Sequence, residues 1–280
     1  MNFRSDSLAE VKIIVRPSRG WSPLRLHSLW DYRDLLFFLF WRDVKVRYKQ
    51  TVLGMLWAIV QPGLMTIVFF VFFGRLAGIP SDGIPYPLFA FCGLLPWQLF
   101  AFALAESSHS LVANEKLITK VFFPRLIIPV SAALVGLVDF LFGLLVLLAV
   151  MVYWGVPLGL GFWTLPFFVV LTLVAALSAG IWLAALNVKY RDVRYAIPFL
   201  IQLWFFLSPV VYPSSMLPER WRWLYSLNPM AGVIEGTRWA LLGQAGPDFR
   251  MAVSVTVIGV LLVSGLYYFR RVEKQFADVI

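Results

Sequence analysis

Apolar residues run along this chain in long blocks, and the polar stretches between them are short. Six blocks reach or approach the roughly 20 residues a helix needs to cross a bilayer, over about 53–74, 85–105, 127–153, 163–186, 196–213 and 251–269. Ahead of them, residues 31–52 predict a two-sided helix. Phe37, Phe40, Trp41, Val44, Tyr48 and Val52 fall on one side of its wheel, and Arg42, Lys45 and Lys49 on the other. Such a helix lies in the plane of the membrane interface, and this one runs without a break into the first span. The stretch 214–243 is amphipathic where a plain loop would be polar. Pro218 and Glu219 suit the first turn of one short helix there, while Asn228 and Pro229 form an N-cap and first helical position for another, which Gly243 ends. Neither helix is long enough to span, so they are expected as a re-entrant pair between spans five and six. Trp221 and Trp223 would also suit an interfacial aromatic belt.

Composition turns this pattern into a class. The chain is 60% hydrophobic and only 14% charged, against roughly 25% charged in soluble domains, so an all-α integral membrane protein is expected. The net charge of +9 raises nucleic acid as a partner, but the basic residues follow membrane topology instead of forming one patch. Nineteen Lys and Arg lie before the first span, in 106–126, in 187–195 and in the tail, against five in the opposite connections. Both termini are therefore expected in the cytoplasm. Residues 1–30 lack an apolar h-region and read as an irregular cytoplasmic lead-in, with no cleaved signal peptide expected. The remaining divisions are the helix at 31–52, a transmembrane domain at 53–272 that includes the pair at 214–243, and a tail at 273–280. Within the connection 107–125 a short helix is expected, with Asn114 as N-cap and Pro124 as stop.

Candidate chemistry is sparse. There is no G-x-x-x-x-G-K-[ST] phosphate loop, His27 and His109 are isolated, and Cys92, the only cysteine, lies inside the second span. The short connections leave no room for a nucleotide-sugar transferase site. Catalysis by this chain, and a metal site in it, are not expected. Asp139 is the one ionisable residue deep in a span and reads as an interhelical hydrogen-bonding group, since a proton relay would want several. Aromatics crowd the spans. Trp57, Phe69 and Phe72 in the first and Trp204, Phe205 and Tyr212 in the fifth would suit the apolar face of a sugar ring along a translocation pathway.

Four blocks, in order and on the connections where topology puts them, carry a resemblance. They are R-D-V-K-V-R-Y-K-Q-T-V-L-G-x-L-W-A-x-x-Q-P at 42–62, N-E-K-L-I-T-K-V-F-F-P-R at 114–125, N-V-K-Y-R-D-V at 187–193 and L-N-P-M-A-G-V-I-E-G-x-R at 227–238. Over about residues 28–272 the chain resembles permease subunits of type-2 ABC exporters, in particular those for O-antigen, capsular polysaccharide or teichoic acid. The resemblance implies a homodimer working with two separate nucleotide-binding subunits, which carry the ATP and Mg and so account for the missing phosphate loop; the permease itself would bind no cofactor. It implies an ATPase-docking surface of Arg42, Asp43, Lys45, Arg47, Lys49, Asn114, Glu115, Lys116, Leu117, Arg191 and Asp192, with a coupling helix around 112–120. It also implies an outer gate of Trp221, Trp223, Asn228, Pro229, Glu235 and Arg238, in a bacterial cytoplasmic membrane, with lipid-linked polysaccharide as substrate. Alternatives that remain open are export of a small lipid or drug, and a passive channel or scaffold without an ATPase.

Overall fold

A computed structural model describes residues 30–49, 56–244, 246, 248–273 and 276. The regular structure among these is entirely helical. In chain order the helices are α1 (Arg33–Lys49), α2 (Trp57–Phe69), α3 (Tyr86–Ala113), α4 (Glu115–Lys120), α5 (Ile127–Leu134), α6 (Gly136–Tyr153), α7 (Leu165–Lys189), α8 (Val193–Phe206), α9 (Glu219–Tyr225), α10 (Pro229–Leu242) and α11 (Arg250–Val272). Residues 50–55, over which α1 was expected to continue into the first span, lie outside the described residues, as do the lead-in before Trp30 and most of the tail.

The bundle is built around α3. Its sequence is apolar on every face, the signature of a helix surrounded by protein. Of its most apolar window 78% is buried, against 17% for the first span, so the first span stands at the periphery. Small residues let neighbours close on this axis. A Cβ on Gly180 of α7 would sit 2.0 Å from the Ser107 hydroxyl of α3, and one on Gly143 of α6 would sit 2.6 Å from Leu95. On the far side of α7, Trp182 stacks on Tyr268 of α11 at 4.4 Å and donates to Ser264.

Among the described residues, five helical segments are long and apolar enough to cross a membrane: Trp57–Leu76, Tyr86–Ala113, Ile127–Tyr153, Phe162–Lys189 and Arg250–Val272. The expected fifth span differs. Its helix is only the 14 residues of α8, about 21 Å at 1.5 Å per residue, and 207–213 leaves helical form and folds back. Pro209 and Pro213 oppose helix continuation in that stretch. The first span ends in a π-helical segment, Phe70–Leu76, at which Gly74 lies against the Tyr86 ring. The third is interrupted at Val135, next to Gly136, whose missing side chain admits the Phe102 ring.

The structure adds a third side to the wheel of α1. Phe37 and Trp41 are exposed, and of the described members of the expected apolar face only Val44 is buried; Val52 lies outside the described residues. The stripe that meets protein is Leu35, Leu36 and Leu39, packed into a cluster with Leu111, Ile118, Ile127 and Leu266. Because α1 rests on α5 by that stripe, Phe37, Phe38 and Trp41 are left open as a second apolar face. The helix therefore has a protein side, an apolar open side and a charged side, where a two-sided wheel allows only two.

Candidate functional site

A cleft of about 880 Å³ opens between α2, α3, α6 and α8. Trp57 and Phe69 of α2, Trp97 of α3 and Phe205 of α8 line it. Phe69 and Phe205 stack at 5.8 Å, and Trp97 meets Phe205 edge-on at 5.4 Å, so the wall is a continuous aromatic surface. Three amides, Gln61, Gln98 and Gln202, share the lining. Sequence reasoning passed over them, although an amide inside an otherwise apolar span is itself a signal, because it needs a partner there. Aromatic faces with interspersed amides can take both the C–H face and the hydroxyls of a sugar.

The other aromatics singled out for the pathway lie elsewhere. Phe72 is exposed on the π-helical segment and is not part of the lining. Trp204 packs edge-on to Phe100 at 5.0 Å and donates its Nε1 hydrogen to Asn228 at 2.8 Å. Tyr212 donates to the Phe206 carbonyl and accepts from Tyr225, both at 3.0 Å.

One end of the cleft carries its charged groups. Arg47 donates to Asp139 Oδ2 at 2.7 Å, and Tyr48 donates to Asp139 Oδ1. Both donors stand in the last turn of α1, so the carboxylate of the third span is held by the helix that precedes the first. The Arg47 guanidinium also stacks over Phe102 of α3 at 4.3 Å. Burial, and then the bond to Asp139, push the Tyr48 hydroxyl up to about 12, so it keeps its proton and remains a donor.

At the same end of the bundle α1, α4 and the 190–192 turn present a basic, polar surface. Arg42 donates to Asp43 and to Asn114, at 2.8 and 2.9 Å, which ties α1 to the junction of α3 and α4. Asn114 stands at the N-cap position of α4, yet its side chain makes no capping bond; it accepts from Arg42 and donates to the Ser110 carbonyl. The short helix covers 115–120, since 112 and 113 complete α3, and it ends ahead of Pro124. Lys45, Lys49, Glu115, Lys116, Arg191 and Asp192 are exposed, while Leu117 is half-buried against the α1 cluster. Phe122, just past α4, is 87% exposed, an apolar side chain that sequence reasoning did not single out.

The opposite end is organised by Arg238 of α10. It is 2% exposed and donates to the carbonyls of Pro209 and Val210 at 2.7 Å and of Phe89 at 3.3 Å, with its guanidinium 3.6 Å above the Phe89 ring. Gly93 makes room for it, since a Cβ there would come within 2.6 Å of Nη2. Asn228 caps α10 by accepting from the Met230 amide at 2.9 Å, and its amide nitrogen donates to the Leu207 carbonyl at 2.8 Å and to Ser208 at 3.0 Å. Pro229 takes the first helical position, and Gly243 ends the helix with φ 67°. Trp221 and Trp223 of α9 are exposed. Beside Arg238 lies a second cavity, of about 510 Å³, on which Glu235 borders.

Residues 34–242 match the ABC-2 type transporter family. The chain is 32% identical over 250 residues to an O-antigen export system permease protein, RfbA, of Klebsiella pneumoniae, covering 88% of this chain and 95% of that one. It is 31% identical over 267 residues to the protein of the same description from Myxococcus xanthus, covering 91% and 98%. It is also 28% identical over 244 residues to the polysialic acid transport protein KpsM of Escherichia coli, covering 83% and 92%.

Proposed function

The chain belongs to the ABC-2 type transporter family, and on that premise we propose that it is the membrane-spanning subunit of an ATP-driven exporter of lipid-linked polysaccharide. The observation that carries the substrate class is the likeness, over nearly the whole chain, to permeases named for O-antigen export. The aromatic and amide lining of the cleft supports it, being suited to a sugar chain. The protein is a multi-pass membrane protein. In this reading it lies in the bacterial inner membrane with both termini cytoplasmic, α8 completes a sixth crossing with help from the folded-back 207–213, and α9 and α10 form the re-entrant outer gate.

Two copies of the chain would work with two nucleotide-binding subunits that supply ATP and Mg. These subunits would dock on the basic end, against α4, the charged side of α1 and the 190–192 turn. Closure of the ATPase pair would displace α1 and α4 together, because Arg42 joins α1 to Asn114. The bonds from Arg47 and Tyr48 to Asp139 would carry that displacement to the third span and the wall of the cleft. Exposed Lys45 and Lys49 would attract the anionic head group of the lipid carrier.

Deletion of the gene tests this reading. The expected result is loss of surface polysaccharide with lipid-linked glycan accumulating on the cytoplasmic side. Unchanged surface polysaccharide would overturn it, and purification without any nucleotide-binding protein would favour a passive channel.

A further inference from the structure

The cavity beside Arg238 is lined by Phe89 of α3, Tyr225 of α9, Glu235 of α10, Gln244 and Met251. About 510 Å³ falls within the range of ligand pockets. Two features mark it as built for a ligand. Among the described residues, the buried side-chain nitrogens left without a hydrogen-bond partner are Arg238 Nε and Gln244 Nε2, and both residues line this cavity. Orphaned buried donors are costly; both nitrogens are closed off from the cavity, and a ligand that draws these side chains toward it supplies the missing acceptors. The second feature is charge balance. Arg222, Arg238 and Arg250 face Asp82, Glu235 and Asp248 around the lining. Several of these charges are already engaged: Arg250 with Asp248, Asp82 with Ser215, and Arg222 with the carbonyls of Leu217 and Ser215.

A balanced lining gives little net attraction to an anion, while orphaned donors beside carboxylates demand a ligand that both accepts and donates. Hydroxyl groups do both. Phe89 and Met251 add apolar surface for carbon–hydrogen faces. We propose that this cavity is a saccharide-binding site at the outer end of each subunit, separate from the cleft, in which Arg238 Nε and Gln244 Nε2 donate to sugar hydroxyl oxygens and Glu235 accepts from sugar hydroxyls. The assignment rests on the polysaccharide-export reading for its source of ligand, namely sugar residues of the exported chain. Free saccharide arriving from outside would meet the same chemistry.

The test uses the full-length subunit with its nucleotide-binding partner in lipid nanodiscs. The probes are oligosaccharides released by mild acid from the host's own surface polysaccharide, with cellotriose and inorganic phosphate as separate arms. Calorimetric titration should show binding of the host fragments. Gln244→Leu and Glu235→Ala should each weaken it by about tenfold, the loss of a hydrogen bond to the ligand. Phe205→Ala, in the cleft, should leave that binding in place. Ser215→Trp fills the cavity from its exposed rim without removing a buried bond, so it should abolish the part of the binding that Phe205→Ala leaves in place, even where the other variants fail to fold. Preference for host fragments over cellotriose assigns the site to the exported chain; equal binding of both assigns it to saccharide from outside. Binding of phosphate alone, no saccharide binding, or binding indifferent to Ser215→Trp overturns the proposal. Surface polysaccharide in the deletion strain separates this failure from the failure of the export reading. Normal loss of export on deletion with no binding sinks only the site.

Discussion

Two arginines sit at opposite ends of this bundle and are held in opposite ways. Arg47, at the end of α1, is partly exposed and is held by side chains alone, the Asp139 carboxylate and the Phe102 ring. Arg238 is enclosed and is bound by three backbone carbonyls from two segments, 209–210 and α3. A side-chain pair with access to solvent can break and re-form at small cost, because water replaces what is lost. Carbonyls buried around a guanidinium have no such substitute. The difference teaches that the α1 end is fastened by a contact that can be exchanged, and the α10 end by one that has to stay whole for the segment to keep its shape.

The largest effect is expected at the fixed end. Arg238→Leu strands the carbonyls of Pro209 and Val210, and thermal melting in nanodiscs should show a loss on the order of 3 kcal/mol or outright failure to accumulate. Stability near that of the parent would remove the contrast between the two ends. Next comes Gly93→Ala. Its Cβ would lie 2.6 Å from Arg238 Nη2 and 2.8 Å from the Val210 carbonyl, so a cost of about 1–3 kcal/mol is expected from crowding alone. Asp139→Asn should cost less, about 1 kcal/mol at most, because its pair with Arg47 is partly solvated. Export should fall much further than stability, with ATP hydrolysis retained. Undiminished export would show that the charge of Asp139 has no part in transport. Smallest for the fold are Glu115→Ala and Lys116→Ala, which should shift stability within about 0.5 kcal/mol while uncoupling ATP hydrolysis from export in a reconstituted assay. Normal coupling in both would move the docking surface off α4.

What the sequence disclosed divides along the same line as local and distant contacts. The ends of α10 were legible, because Asn228, Pro229 and Gly243 act on backbone groups within a few residues of themselves. The long apolar spans were legible from length alone. The end of α8 at Phe206 was misplaced, since an apolar run continues through 207–213 and hydropathy cannot register that the helix has stopped. The partners of Asp139 were not named because Arg47 and Tyr48 lie more than 90 residues away in sequence. The wheel of α1 was incomplete for a related reason: a wheel sorts apolar from polar, whereas a helix at a membrane has two apolar surroundings, protein and lipid, that side-chain hydrophobicity does not separate.

The short α8 leads to a further point about solvent. A helix of about 21 Å is shorter than roughly 30 Å of hydrocarbon, and past its end the chain runs on as the non-helical stretch 207–213, whose carbonyls have no helical partners. In an aqueous protein such a stretch would lie at the surface and hydrate. Here Arg238 and Asn228, both on or at the cap of α10, donate to Leu207, Pro209 and Val210. Those two side chains take the bonds that water would otherwise supply, and an unwound backbone keeps its partners against α10.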